Sequence, residues 1–169
     1  MRVYIPATLA MLTDLVASGS LSAVSGTAFA VTPSLREAYA EGDDEELAEV
    51  ALREAALASL RLLAIGEAGE GLPVRRAVLV VDLPESPTVT VRPDLDDAVV
   101  RLSSPVAIDS VVAAYVDTAA AEPAVAAAVA VIDDADLGDE DAELTVGDAQ
   151  DHDLAWYAVQ ELPFLLELL

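Results

Sequence analysis

The sequence predicts an α/β (α+β) fold: one globular domain spanning residues 1–169, built on a mixed β-sheet of about six strands with helices packed on it. Three observations carry this expectation. The chain has 169 residues, 54% of them apolar, enough to bury one core without disulfides or a metal. Short β-rich runs alternate with segments whose apolar residues recur at helical spacing. At least one pair of strands follows without a helix between, unlike a strictly alternating parallel sheet.

The elements follow in order. "RVYIPA" (2–7) is a strand ended by Pro6. Thr8 is placed to cap the next helix, whose Leu9, Leu12, Leu15 and Val16 share a face, and Gly19 stops it. "GTAFAVT" (26–32) is the second strand. Thr32 then stands at an N-cap with Pro33 in the first helical position, opening "PSLREAYAEG". "DDEELAEVALREAALASLRLLAIG" (43–66) is the clearest helix. Acids crowd its first turn, where the macrodipole favours them; Leu52, Ala56, Leu60 and Leu63 form its apolar stripe, and Glu49 and Arg53 are spaced for an exposed i,i+4 pair. The loop "GEAGEGLP" (66–73) matches neither G-x-G-x-x-G nor the P-loop.

"RRAVLVVDL" (75–83), bounded by charge and Pro84, is the continuous apolar run of a central strand covered on both faces. "TVTVR" (88–92), between prolines, suits an edge strand; "AVVRLS" (98–103) and "SVVAAYVD" (110–117) are further strands. "AEPAVAAAVAVIDDA" (121–135) is a helix with Pro123 near its start, and residues 133–151 are an acidic stretch, part helix and part loop. "DLAWYA" (153–158) is the last strand, with Leu154 and Trp156 on one face and Tyr157 on the other. A short helix follows from Gln160, with Pro163 in its first turn. Leu154, Trp156, Leu162, Phe164 and Leu165 are expected to close the core as a C-terminal strand and helix.

Composition removes most catalytic classes. There is no Cys, hence no thiolate nucleophile and no Cys-ligated zinc; there is no Lys, hence no Schiff base and no Walker or kinase lysine. The one histidine, His152, excludes paired-His metal motifs. It lies between Asp151 and Asp153, but no G-x-S-x-G elbow accompanies it, and it reads as a polar residue entering a strand. The run "DDADLGDEDAE" (133–143) fails the EF-hand spacing in both registers. From Asp134, Gly138 falls at the fifth position and Thr145 at the twelfth; from Asp133, Ala135 and Leu137 occupy ligand positions. Asp82 is the acid to watch, because strand ends line clefts in α/β sheets. No cofactor or metal is expected. Trp156, the only tryptophan, is the other residue to follow.

The charge is lopsided: 31 acids against eight arginines, a net −23. The arginines are scattered, with one adjacent pair, Arg75–Arg76. None follows Arg101, whereas fifteen acids do. Such a surface repels phosphates and anionic headgroups, so neither nucleic acid nor membrane is an expected partner. No apolar run is long enough to span a bilayer. Ala28-Phe29-Ala30 has the form of a signal cleavage site, but Pro6 and Asp14 interrupt the apolar segment before it, which argues for a cytoplasmic protein. A basic protein is the partner this charge suits, faced by Asp133, Asp134, Asp136, Asp139, Glu140, Asp141 and Glu143.

The stretches "MRVYIPATLAML", "GTAFAVTPSLREAYAEGD", "EVALREAALASLRLL" and "DHDLAWYAVQELPFLL" resemble a family of small conserved hypothetical proteins from actinobacteria. The resemblance covers nearly the whole chain and implies a bacterial cytosolic protein. It brings no assigned activity and no catalytic residues, but it does imply that both terminal segments belong to the fold. The functional expectation is a non-enzymatic interaction or regulatory module. The alternatives are a small metal-assisted or Asp/Glu-dependent hydrolase-like enzyme and a small-ligand-binding domain.

One stability prediction follows from charge alone. Self-repulsion of a −23 chain opposes compaction, and salt shortens the Debye length from ~10 Å at 0.1 M to ~3 Å at 1 M. The melting temperature is expected to rise across that range of sodium chloride; a flat or falling curve would show that the acids do not repel one another effectively.

Overall fold

A computed structural model of the chain describes residues 1–84 and 87–169. Its sheet is organised around β1 (Arg2–Ala7), which lies between β3 (Thr27–Ala30) and β4 (Ala77–Asp82). With β5 (Val89–Val91), β6 (Val99–Leu102), β8 (Val111–Val116) and β9 (Ala155–Ala158), the order is β5-β6-β3-β1-β4-β8-β9. The described sheet therefore has seven strands rather than about six. Every described ladder is antiparallel, which corrects the mixed sheet expected from the sequence.

The reason for that difference is the path of one crossover. The chain returns through α1 (Leu9–Ser18) to lay β3 antiparallel beside β1. From β3 it runs through α2 (Pro33–Ala38) and α3 (Asp44–Ala64) and enters the sheet again on the other side of β1, as β4. β3 and β4 point the same way but have β1 between them, so no parallel ladder forms. Two further strands, β2 (Ser20–Leu21) and β7 (Val106–Ala107), form a separate ribbon too short for any alternation to show.

Alternation along the strands sends side chains to two covered faces. Val3, Ile5, Leu79 and Val81 face α1, through Leu9, Leu12 and Leu15, and α6 (Leu162–Glu167), through Leu162 and Leu165. Tyr4, Phe29, Val78 and Val80 face the other way, onto Leu47, Ala51, Leu52 and Ala55 of α3. The far end of α3 buries Leu60 and Leu63 against a hairpin of α4 (Glu122–Asp136) and α5 (Glu140–Gln150), through Val125, Ala128, Ile132 and Val146. Packed on two sides, α3 is buried over a wider arc than its sequence stripe.

Local chemistry holds these elements in register. Thr8, Thr32 and Asp43 cap α1, α2 and α3 by accepting the N–H of Met11, Leu35 and Glu46. Gly19 ends α1 with φ 84°, a conformation that favours glycine. Pro6 does not end β1, which continues to Ala7. It lies beyond the two-residue overlap with β3 and pairs only with Val78 of β4, an edge-like position where a missing N–H is tolerated. Beside it, the buried Ser59 hydroxyl donates to the Ala7 carbonyl (2.7 Å) and accepts from the Ala77 N–H (3.1 Å), tying α3 to the β1–β4 pair.

One further expectation is sharpened and two are corrected. The acidic stretch is mostly helical, with Gly138 (φ 95°) turning the chain between α4 and α5. Arg53 does not bridge to Glu49; its Nη1 donates to the Gln150 carbonyl instead (3.2 Å). In the tail, Leu162 and Leu165 are buried as expected, but Trp156 is 56% and Phe164 69% exposed. β9 is an edge strand at the end of the sheet, and six-residue α6 has room to bury one side only. Leu162→Ala is accordingly expected to cost ~2–5 kcal/mol in urea unfolding, while Phe164→Ala stays within ~0.5 kcal/mol of the parent. Equal losses at the two positions would contradict this packing.

Candidate functional site

The most heavily bonded polar group in the molecule is Arg76, which precedes β4 and is 1% exposed. Asp117, which follows β8, is 0% exposed. Ala77 pairs with Val116 at the end of the β4–β8 ladder, so Arg76 and Asp117 are the next opposed residues, and the Asp117 N–H donates to the Arg76 carbonyl (3.1 Å). Their side chains close a bidentate pair: Nε to Oδ2 at 2.9 Å and Nη2 to Oδ1 at 2.7 Å. Oδ2 also accepts the Arg76 backbone N–H (2.7 Å). The outer edge of the guanidinium donates to Gln150 Oε1 (2.9 Å) and to the His152 carbonyl (2.8 Å). Gln150 in turn donates from Nε2 to the Arg53 carbonyl (3.1 Å). Strand β4, strand β8, helix α3 and the end of α5 are thus joined through one buried cation.

That junction forms one wall of a cavity of about 400 Å³. α3 contributes Glu49, Leu52, Arg53 and Ala56, β8 contributes Tyr115, and the link into β9 contributes His152, Asp153 and Leu154. Trp156 is not in that lining but lies opposite Tyr115 in the β8–β9 register, and therefore on the same face of the sheet as a residue that is. A second cavity, of about 420 Å³, continues along the same face of α3 and is lined by Arg2, Tyr4, Arg36, Asp44, Glu45 and Ala48 among others. Tyr4 belongs to the second cavity only; burial raises its hydroxyl above the usual value, and nearby Tyr115 adds to this. The two cavities lie against successive turns of α3 and form a groove beside it, lined by Tyr115 and Tyr4 and by the carboxylates of Asp44, Glu45, Glu49 and Asp153.

The residues singled out by sequence are dispersed. His152 lines the first cavity but contributes its backbone carbonyl to the junction. Trp156 lines neither of the two cavities but neighbours Tyr115, which lines the first. Asp82 is an exposed strand-end acid in a two-bond pair with Arg2 (3.0 and 3.1 Å), which holds its carboxyl below the usual value. The acids of 133–143 project from the α4–α5 hairpin, away from the cavity lining. Two of them have structural partners: Asp136 takes both bonds of Arg61 at 2.9 Å, and Asp139 caps α5 at the Ala142 N–H. Among the described residues no three His, Asp or Glu side chains are placed to share a metal ion. Glu54 is raised by burial, with Asp96 adding to it, yet it lines neither cavity.

Sequence reading passed over Arg76, Asp117 and Gln150. Arg75–Arg76 was the one adjacent basic pair, a surface feature on its face; in the fold Arg76 is internal and Arg75 is turned to Glu122 (3.3 Å). The available signal was positional: an arginine just before the apolar run Ala77–Val81 of β4 and an aspartate just after the buried strand β8. Removing one member of such a pair strands the other's charge in the interior. Asp117→Ala is therefore expected to cost ~3–5 kcal/mol, and the double change Arg76→Met with Asp117→Leu less than that single one. A urea-unfolding comparison of the two checks this, and a double variant weaker than the single one would refute it.

No helix among the described residues is long and apolar enough to cross a membrane. No curated protein and no solved structure matches the chain. A family of unknown function, DUF6912, matches residues 1–166, and the chain belongs to that family.

Proposed function

We propose that this protein is a non-enzymatic interaction module of the bacterial cytosol, which engages a basic protein partner through the groove beside α3. The observation that carries the reading is Trp156: the only tryptophan, left 56% exposed and paired across the strands with Tyr115, which lines a cavity together with Glu49 and Asp153. Aromatic anchors at a concave surface are where binding energy concentrates in protein interfaces. Asp133, Asp134, Glu140, Asp141 and Glu143 serve this reading at longer range, since they are exposed and make no ion pair among the described residues. Charges so placed steer association more than they strengthen the bound state.

A second reading, a small-ligand domain, has one observation in its favour: about 400 Å³ lies within the size range of small-molecule pockets. The two separate experimentally. Replacing those five hairpin acids by their amides, with Asp136 and Asp139 retained for Arg61 and the α5 cap, is expected to leave the melting temperature nearly unchanged. Association with a captured partner should slow about tenfold at low salt and little at high salt. Trp156→Ala should chiefly raise the dissociation rate. A partner that binds both variants with parental kinetics would refute the interaction reading, and a saturable thermal shift with a small molecule alone would favour the second.

A further inference from the structure

We infer that the cavity beside α3 receives a single arginine side chain of the partner, its guanidinium lying against Tyr115 and Trp156; this rests on the reading of the protein as a module for basic partners. Tyr115 and Trp156 are directly opposed across β8 and β9, so their Cβ atoms lie about 4.5–5.5 Å apart on the α3 side of the sheet. Two adjacent ring systems present electron-rich faces to a cation. Glu49 on α3 and Asp153 on the link into β9 stand on different walls and make no hydrogen bond or ion pair among the described residues.

The cations already present are occupied. Arg76 is bound to Asp117, Gln150 and His152, and Arg53 is turned to the Gln150 carbonyl. The lining carries two carboxylates and two guanidiniums, and Asp117 behind it neutralises Arg76, which leaves a net −1 before the field of the −23 chain is added. Leu52, Ala56 and Leu154 supply an apolar wall for a long methylene stem. Arginine fits better than lysine, because its planar, weakly hydrated guanidinium stacks on aromatic faces whereas an ammonium stays strongly hydrated. Strand addition at the β9 edge is less well supported: the strand has four residues, and Glu161 Oε1 already takes the Ala158 N–H (3.0 Å).

Because Trp156 is the only tryptophan and stands opposite Tyr115 of the cavity lining, its emission reports on this strand pair alone. The full chain would be titrated at low salt with a nine-residue oligoarginine peptide and with oligolysine of equal charge. Saturable changes are expected with both, the arginine peptide binding about three- to tenfold more tightly. Glu49→Gln with Asp153→Asn, both exposed positions, should weaken the arginine peptide about tenfold without lowering the melting temperature. Tyr115→Leu should bring the two peptides level; if that variant melts early, Trp156→Leu at its exposed position, read by calorimetry, makes the same comparison. Amidation of the five hairpin acids should weaken both peptides alike and preserve their ratio. Equal binding of the two peptides to the parent would overturn the arginine site. So would cavity variants that bind normally while the hairpin variant does not, a result that leaves the interaction reading standing. If neither peptide binds, both fall together.

Discussion

The buried pair of Arg76 and Asp117 is the constraint on which the rest of the arrangement depends. A charge that is 1% exposed is tolerated only when its donors are used, and the fold uses four of the five guanidinium N–H groups. Two go across the end of the β4–β8 ladder, so the pair closes the sheet where its hydrogen bonds stop. Two go to Gln150 and His152, so the pair also fixes where α5 ends and where the chain turns into β9. The same bonds that satisfy a buried cation thereby shape one wall of the groove. Stability and site geometry are not separable here.

The helix α3 is the second organising element. It covers one half of the sheet and, through Leu60 and Leu63, carries the α4–α5 hairpin on its other side. A single helix cannot also cover the end of the sheet formed by β8 and β9. Tyr115 and Trp156 are left beside it, Tyr115 in the lining of the first cavity and Trp156 paired with it across the strands. On the opposite face α1 and α6 pack over the sheet with Leu9, Leu12, Leu15 and Leu162. The aromatic groove is thus a consequence of how many helices lie on each face.

Charge is distributed to suit this division. Among the described residues six of the eight arginines are ion-paired: Arg2, Arg36, Arg61, Arg75, Arg76 and Arg92 each meet an acid. Most acids must then remain unpaired, and they gather on helix starts and on the hairpin, where first-turn carboxylates such as Glu140 and Asp141 also favour the dipole of α5. The exposed pairs, Arg36 with Asp44 for example, contribute little stability in water. What remains is a strongly negative exterior around a core whose one deeply buried charge pair is neutral overall.

The sequence by itself determined the elements. Caps at Thr8, Thr32 and Asp43, the apolar run of β4, the edge character of β5 between prolines and the tail's strand and helix are all local signals, set by propensity and period within a few residues. The tertiary structure decided what those elements meet. Whether the crossover through α3 left a gap for β1, and so made every ladder antiparallel, depends on a strand more than twenty residues earlier. Trp156 and Phe164 carry the same apolar signal as Leu162 and Leu165, yet only the leucines found a partner surface, because burial is a property of what lies opposite. Arg76 and Asp117 are 41 residues apart in sequence and look like ordinary strand-bounding charges. Only the β4–β8 register, with α5 folded over it, turned them into the buried junction that builds the groove.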